Sequence, residues 1–117
     1  MKKIIHFLLI ALAVCLFAGA SAQAETKSGI TIHAKRYAFE PAEITLKKGQ
    51  TATLLLVTDD VDHGLAVPGL GIRADIVRGQ TSKVTVTPAV TGDFTGTCSR
   101  FCGGGHTHMR FVVHVVP

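Results

Sequence analysis

From Ile30 onward, apolar residues come mostly at every second position rather than every third or fourth. "ITIHAK" sets Ile30, Ile32 and Ala34 against Thr31, His33 and Lys35, and "TSKVTVTP" sets Val84 and Val86 against Lys83, Thr85 and Thr87. A period of two puts alternate side chains on opposite faces of a strand, so each run has one face to bury. "AEITLKKGQ", "TATLLLVT", "GLAVP", "GLGIRADIVRGQ", "DFTGT" and "MRFVVHVV" continue the series, broken by Gly, Pro and Asp. No segment keeps a 3.6-residue period with caps at its ends. Short, regularly spaced strands with turn residues between them predict an all-β antiparallel sandwich or barrel. "TATLLLVT" is the most apolar run and the candidate central strand.

The start of the chain is of another kind. "MKKIIHFLLIALAVCLFAGASAQA" has Lys2 and Lys3, an apolar run from Ile4 to about Ala18, and small residues ending in Ala22-Gln23-Ala24. A charged start, a short apolar core and an A-x-A site are the parts of a secretory signal, with cleavage expected before Glu25. An uncleaved anchor is the alternative. The expected organisation is a signal helix over residues 1–24 and one domain over residues 25–117, exported or periplasmic, in a chain of 117 residues. Once the two signal lysines are gone the domain's charge falls to about +2. No basic run remains, which argues against nucleic acid or a polybasic membrane contact. Membrane association is expected only through a partner or a retained anchor.

Cleavage also removes Cys15 and leaves Cys98 and Cys102 as the only thiols. In an oxidising compartment an isolated pair is by default a disulfide. A four-residue loop is a weak staple, however, and a domain of this size can hold a core without one. The setting of the two cysteines points elsewhere. "CSRFCGGGHTHM" also carries His106 and Met109, and it lies in a loop between the last two strands. Thiolate and thioether are soft donors, and with imidazole they favour copper over calcium or magnesium. Zinc sites rarely use a thioether.

His63, at the end of "DDVDH", can complete the set if its loop shares that end of the sandwich. One blue-type copper needs one cysteine, two histidines and a weak axial group, which leaves a cysteine spare. Two cysteines can instead bridge two coppers, each metal finished by a histidine and a weak ligand.

"DVDH" ending at His63, followed thirty-five residues later by "CSRFCGGGHTHM", resembles the copper-A (CuA) domain of cytochrome c oxidase subunit II, a cupredoxin. "YAFEPAEITLKKGQ" near the start of the domain fits the same family. The resemblance implies a Greek-key β-sandwich and a cluster of two copper ions. It assigns Cys98 and Cys102 as bridging thiolates, His63 and His106 as one ligand to each copper, Met109 as a weak thioether ligand and the Arg100 carbonyl as the weak ligand of the second copper. The family most often has glutamate where Arg100 stands, so a cation near the cluster is a departure. A second departure is a signal peptide where subunit II carries a transmembrane hairpin, and a third is the absence of tryptophan. These point to a stand-alone exported protein.

The implied function is respiratory electron transfer, with partners such as a cytochrome c and a terminal oxidase or reductase. Nothing in the sequence supplies a nucleophile with a base, so an enzyme in its own right is not expected. The competing readings are a copper-delivery protein using the same ligands, and a Cys2His2 zinc site that does without Met109.

Phe101 is expected either to offer an apolar contact or to shield the cluster. Gly103, Gly104 and Gly105 are expected to give the backbone room over it. Asp59, Asp60 and Asp62 read as a solvated loop from which one carboxylate can reach a ligand histidine. His33, His108 and His114 are expected at the surface, His108 because an extended segment turns it away from His106.

Overall fold

A computed structural model describes residues 26–117; the expected signal helix lies outside the described residues. Nine strands account for most of the described residues: β1 Thr26–Lys35, β2 Ala38–Glu40, β3 Glu43–Lys47, β4 Thr51–Thr58, β5 His63–Val67, β6 Ile72–Ile76, β7 Ser82–Val86, β8 Gly92–Thr97 and β9 Arg110–Val116. Single 3-10 turns at Pro68–Leu70 and His106–His108 are the only helical pieces among the described residues.

The strands form two sheets, one in the order β2-β1-β4-β7 and the other β3-β9-β8-β5-β6. The period-two pattern explains their packing. Ile32 and Ala34 of β1 and Leu54 and Leu56 of β4 are buried on the inner face of the first sheet. Leu65 and Val67 of β5 and Phe111 and Val113 of β9 meet them from the second. Phe39 of β2 and Phe111 of β9 join the sheets edge to face, with ring centroids 5.9 Å apart. The most apolar run, β4, is an interior strand of its sheet, between β1 and β7.

Two features depart from the sequence expectation. The sandwich is not purely antiparallel: β1 runs parallel to β4, and β3 parallel to β9. A parallel pair needs a crossover between its strands, and the segments from β2 to β3 and from β4 to β8 supply it. Alternation along one strand carries no information about the direction of its neighbour. The second departure is that β1 begins at Thr26, four residues before the alternation that starts at Ile30. The backbone of β1 pairs with β4 from Thr26↔Thr51, with a register shift between Lys27 and Ile30. Gly29, at φ +78°, occupies that irregularity, as a glycine at a bulge does.

Four connections gather at one end of the sandwich: Arg36–Tyr37, residues 59–62, residues 77–81 and residues 98–109. Hydrogen bonds tie them together. The Arg36 N–H donates to Asp60 and the Arg78 N–H to Asp62, while Arg36 Nε donates to the Cys102 carbonyl.

Candidate metal centre

His63 is the first residue of β5, and its position there is fixed by the ladder with Ile76 of β6. It is the only polar or charged side chain buried among the described residues. The loop from Cys98 to Met109 leaves β8 beside it, held where the Ser99 N–H donates to the Gly64 carbonyl at 3.3 Å. A Cβ on Gly64 would lie 2.3 Å from Ser99 Oγ and 3.2 Å from Arg100 N, so the bare backbone of β5 lets the loop settle against it.

Two sulfurs stand at the centre of this end. Cys98 Sγ and Cys102 Sγ are 3.8 Å apart, both buried and unbonded. A disulfide requires about 2.05 Å, so the pair is held open. Each sulfur has an imidazole nitrogen beside it: His63 Nδ1 is 3.9 Å from Cys98 Sγ, and His106 Nδ1 is 3.7 Å from Cys102 Sγ. Each also has one weaker donor. The Arg100 carbonyl lies 3.0 Å from Cys98 Sγ, and Met109 Sδ lies 3.4 Å from Cys102 Sγ. The donor atoms of His63, Cys98 and Cys102 all lie within 4.8 Å of one another, a group that can hold a metal ion. His106 and Met109 adjoin it through Cys102. The six positions named from the sequence therefore meet at one end of the fold.

Asp60 supplies a contact that three similar aspartates left open. Its Oδ1 accepts from His63 Nε2 at 2.8 Å. With the proton on Nε2, the Nδ1 lone pair is free and faces the sulfurs. Burial alone would raise the Asp60 carboxyl. The N–H groups of Arg36 and Val61 and the His63 ring outweigh it and hold the carboxyl at about 2. Asp59 instead pairs with His33 at 2.8 Å, and Asp62 with the Arg100 guanidinium at 3.4 Å. The Cys102 thiol is pushed well up, first by burial and then by its hydrogen bonding with Cys98, against the opposing charge of Arg36. A metal ion would displace these protons, since thiolates are the ligating form.

The remaining expectations resolve individually. Phe101 is 78% exposed and rests its ring against His106, centroids 5.7 Å apart, so it does not bury the sulfurs. The glycines serve a neighbour rather than the cluster. A Cβ on Gly105 would lie 2.4 Å from the Tyr37 ring, and one on Gly103 would lie 2.4 Å from the Tyr37 hydroxyl, whereas Gly104 faces open space. His108 is exposed as expected, but on a 3-10 turn rather than an extended segment. His114 bonds Asp93 at 2.6 Å on the outer face of β9. Arg36 and Tyr37, which brace the loop, were not among the residues the sequence singled out. Arg36 lies 66 residues from the carbonyl it holds, and no local pattern marks it.

The donor chemistry fits copper: two thiols, two imidazoles and a thioether are a soft and borderline set. A metal–sulfur bond of about 2.3 Å to each thiolate is long enough to span the gap between them. The family described as "cupredoxin-like domain" matches residues 8–113. Among solved structures, the periplasmic domain of cytochrome oxidase subunit II from Bradyrhizobium japonicum superposes with a TM-score of 0.70, at 21% identity, over 77% of this chain and 83% of that one. A haem-copper terminal oxidase dimer gives a TM-score of 0.70 at 20% identity, over 83% of this chain and 68% of that one. Auracyanin A, a blue copper protein of Chloroflexus aurantiacus, gives 0.61 at 18% identity, over 78% and 99%. At these identities the likeness is one of fold.

Proposed function

This chain belongs to the cupredoxin-like domain family, and from that premise we propose that it is an exported electron-transfer protein holding a dinuclear CuA-type copper centre. One observation carries the reading. The donors fall into two matched halves about the sulfur pair: His63 Nδ1 and the Arg100 carbonyl beside Cys98, and His106 Nδ1 and Met109 Sδ beside Cys102. A single blue-type copper would use one cysteine and leave the other without a task. When bound, a copper pair sharing both thiolates would accept and release one electron.

The chain's own residues do the rest. Asp60 fixes the His63 tautomer, and Arg36 pins the carbonyl of Cys102. Burial of both cysteines and Met109 keeps water from the sulfurs. The ligand loop is anchored on β8 and β9 at its ends and on Gly64 and Tyr37 along its length, so its atoms have little room to move between oxidation states.

The periplasmic origin of the Bradyrhizobium domain and the signal-like N-terminus support placement outside the cytoplasm. A c-type cytochrome and a terminal oxidase or reductase are the partners this reading implies.

Reconstituting the reduced protein with copper tests the proposal through metal counting and electron paramagnetic resonance. Two coppers per chain and an unpaired electron shared by two nuclei are expected. One copper, or a signal localised on one nucleus, sinks the dinuclear assignment. Tightly bound but colourless cuprous copper that passes readily to a chelator would favour the delivery reading.

A further inference from the structure

Beside Cys102 the four connections enclose an open cleft of about 450 Å³, and its lining is basic. Arg36, Arg78 and Arg100 face it with Asp62 as the single carboxylate, and Phe101 and Cys102 contribute to the same wall. The three guanidinium groups are not equally engaged. Arg100 pairs with Asp62, and Arg36 uses Nε on the Cys102 carbonyl, with no carboxylate in ion-pair distance of its terminal nitrogens among the described residues. Arg78 gives Asp62 only its backbone N–H, and among the described residues no carboxylate lies within ion-pair distance of its side chain. The cleft therefore carries an excess of positive charge next to one of the two sulfurs. Phe101, 78% exposed, adds an apolar contact that reaches His106. Arginine with an exposed aromatic residue is the composition of a protein-contact face. Small-ligand sites instead enclose their ligand, whereas this cleft lies open to solvent.

We propose that this cleft is the docking face for a redox partner whose own contact surface is acidic. The proposal rests on the electron-transfer reading and adds the charge of the partner to it. Carboxylates on the partner would meet the Arg36 and Arg78 guanidinium groups, and an apolar patch would cover Phe101, bringing the two redox centres together across Cys102 and His106. Charge of this kind acts mainly on encounter rate and orientation, and salt weakens it.

The test is a nuclear magnetic resonance titration of the labelled chain with two purified probes, a c-type cytochrome with an acidic haem-edge surface and one with a basic surface. The acidic probe is expected to shift the amides of Arg36, Arg78, Phe101 and Gly103, and to bind on the order of tenfold more weakly when salt rises from about 0.05 M to about 0.5 M. Arg78→Glu is expected to weaken that binding by on the order of tenfold while leaving the copper count unchanged, and Arg78→Lys to retain most of it.

Equal binding of the basic probe, shifts mapping to another face, no binding by either probe, or an unaffected Arg78→Glu variant would overturn the proposal. So would citrate moving the same amides as strongly as the acidic cytochrome, since the cleft would then be a site for free anions. Copper count and paramagnetic signal are separate readouts. If they fail while docking persists, the electron-transfer reading falls and the acidic-partner face stands.

Discussion

Asp60 shows how one side chain sets the chemistry of another. By accepting from His63 Nε2 it leaves Nδ1 as the only lone pair of that ring, aimed at the sulfur pair. Asp60→Asn can keep the hydrogen bond only as a weaker neutral one, or reverse it and strand the proton on Nδ1. Copper affinity is expected to fall by about 10- to 100-fold, the usual cost of losing such a partner, measured by competition with a chelator. The metal-free protein gives a second readout. A carboxyl held at about 2 when folded, against an ordinary value of 3.8, contributes stability that is complete above that ordinary value and is lost as pH falls through the folded one. Denaturant midpoints should therefore drop between about pH 4 and pH 2 in the parent and drop less in Asp60→Asn. Cys98, Cys102, His106 and Met109 were legible in the sequence because thiol, imidazole and thioether are rare and here closely spaced. His63 stood at the end of its own loop, and the Arg100 carbonyl came only with the family resemblance. The sequence could not separate Asp60 from Asp59 and Asp62, since which carboxylate reaches His63 depends on how the 59–62 turn closes.

At the scale of elements, the ligand loop is held as much by what is absent as by what is present. Gly103 and Gly105 leave a flat surface that the Tyr37 ring covers, and Tyr37 follows Arg36, which holds the Cys102 carbonyl. Gly105→Ala would drive a methyl group into that ring. It is expected to destabilise the protein by about 1–3 kcal/mol, as overpacking does, in denaturant melts. Tyr37→Ala should cost stability alone yet relieve the Gly105→Ala variant, giving a non-additive double-mutant cycle. Additive costs would mean that ring and loop do not bear on each other. The strands were legible from their alternation, and their burial follows it closely, as in β3 and β4. The bracing was not: a glycine triplet reads the same whether its open side faces a metal or a tyrosine 66 or more residues away.

For the molecule as a whole, the core and the site are continuous. Cys98, Cys102 and Met109 are buried in the same cluster as Phe39, Leu56 and Phe111. Phe111 lies two residues beyond Met109 and meets Phe39 across the two sheets. Phe111→Ala is therefore expected to cost about 3–5 kcal/mol of stability in denaturant unfolding, and to loosen copper binding with it. A variant that lost stability while keeping parent copper affinity would show the two regions to be independent. The general two-sheet architecture could be read from strand number and spacing. The two parallel pairings could not, because they depend on which distant strands meet.

One of those pairings governs the order in which the protein can be completed. β9 lies between β3 and β8, so the second sheet stays in two pieces until β9 has emerged. A chain delivered N-terminus first must hold β3 and β8 apart until then, with the segment from Cys98 to Met109 tethered at one end only. During that interval both thiols lack the cover that Met109 and the neighbouring core give them in the finished fold. The strand that joins the two pieces of the sheet is thus also the one that fixes the far end of the ligand loop.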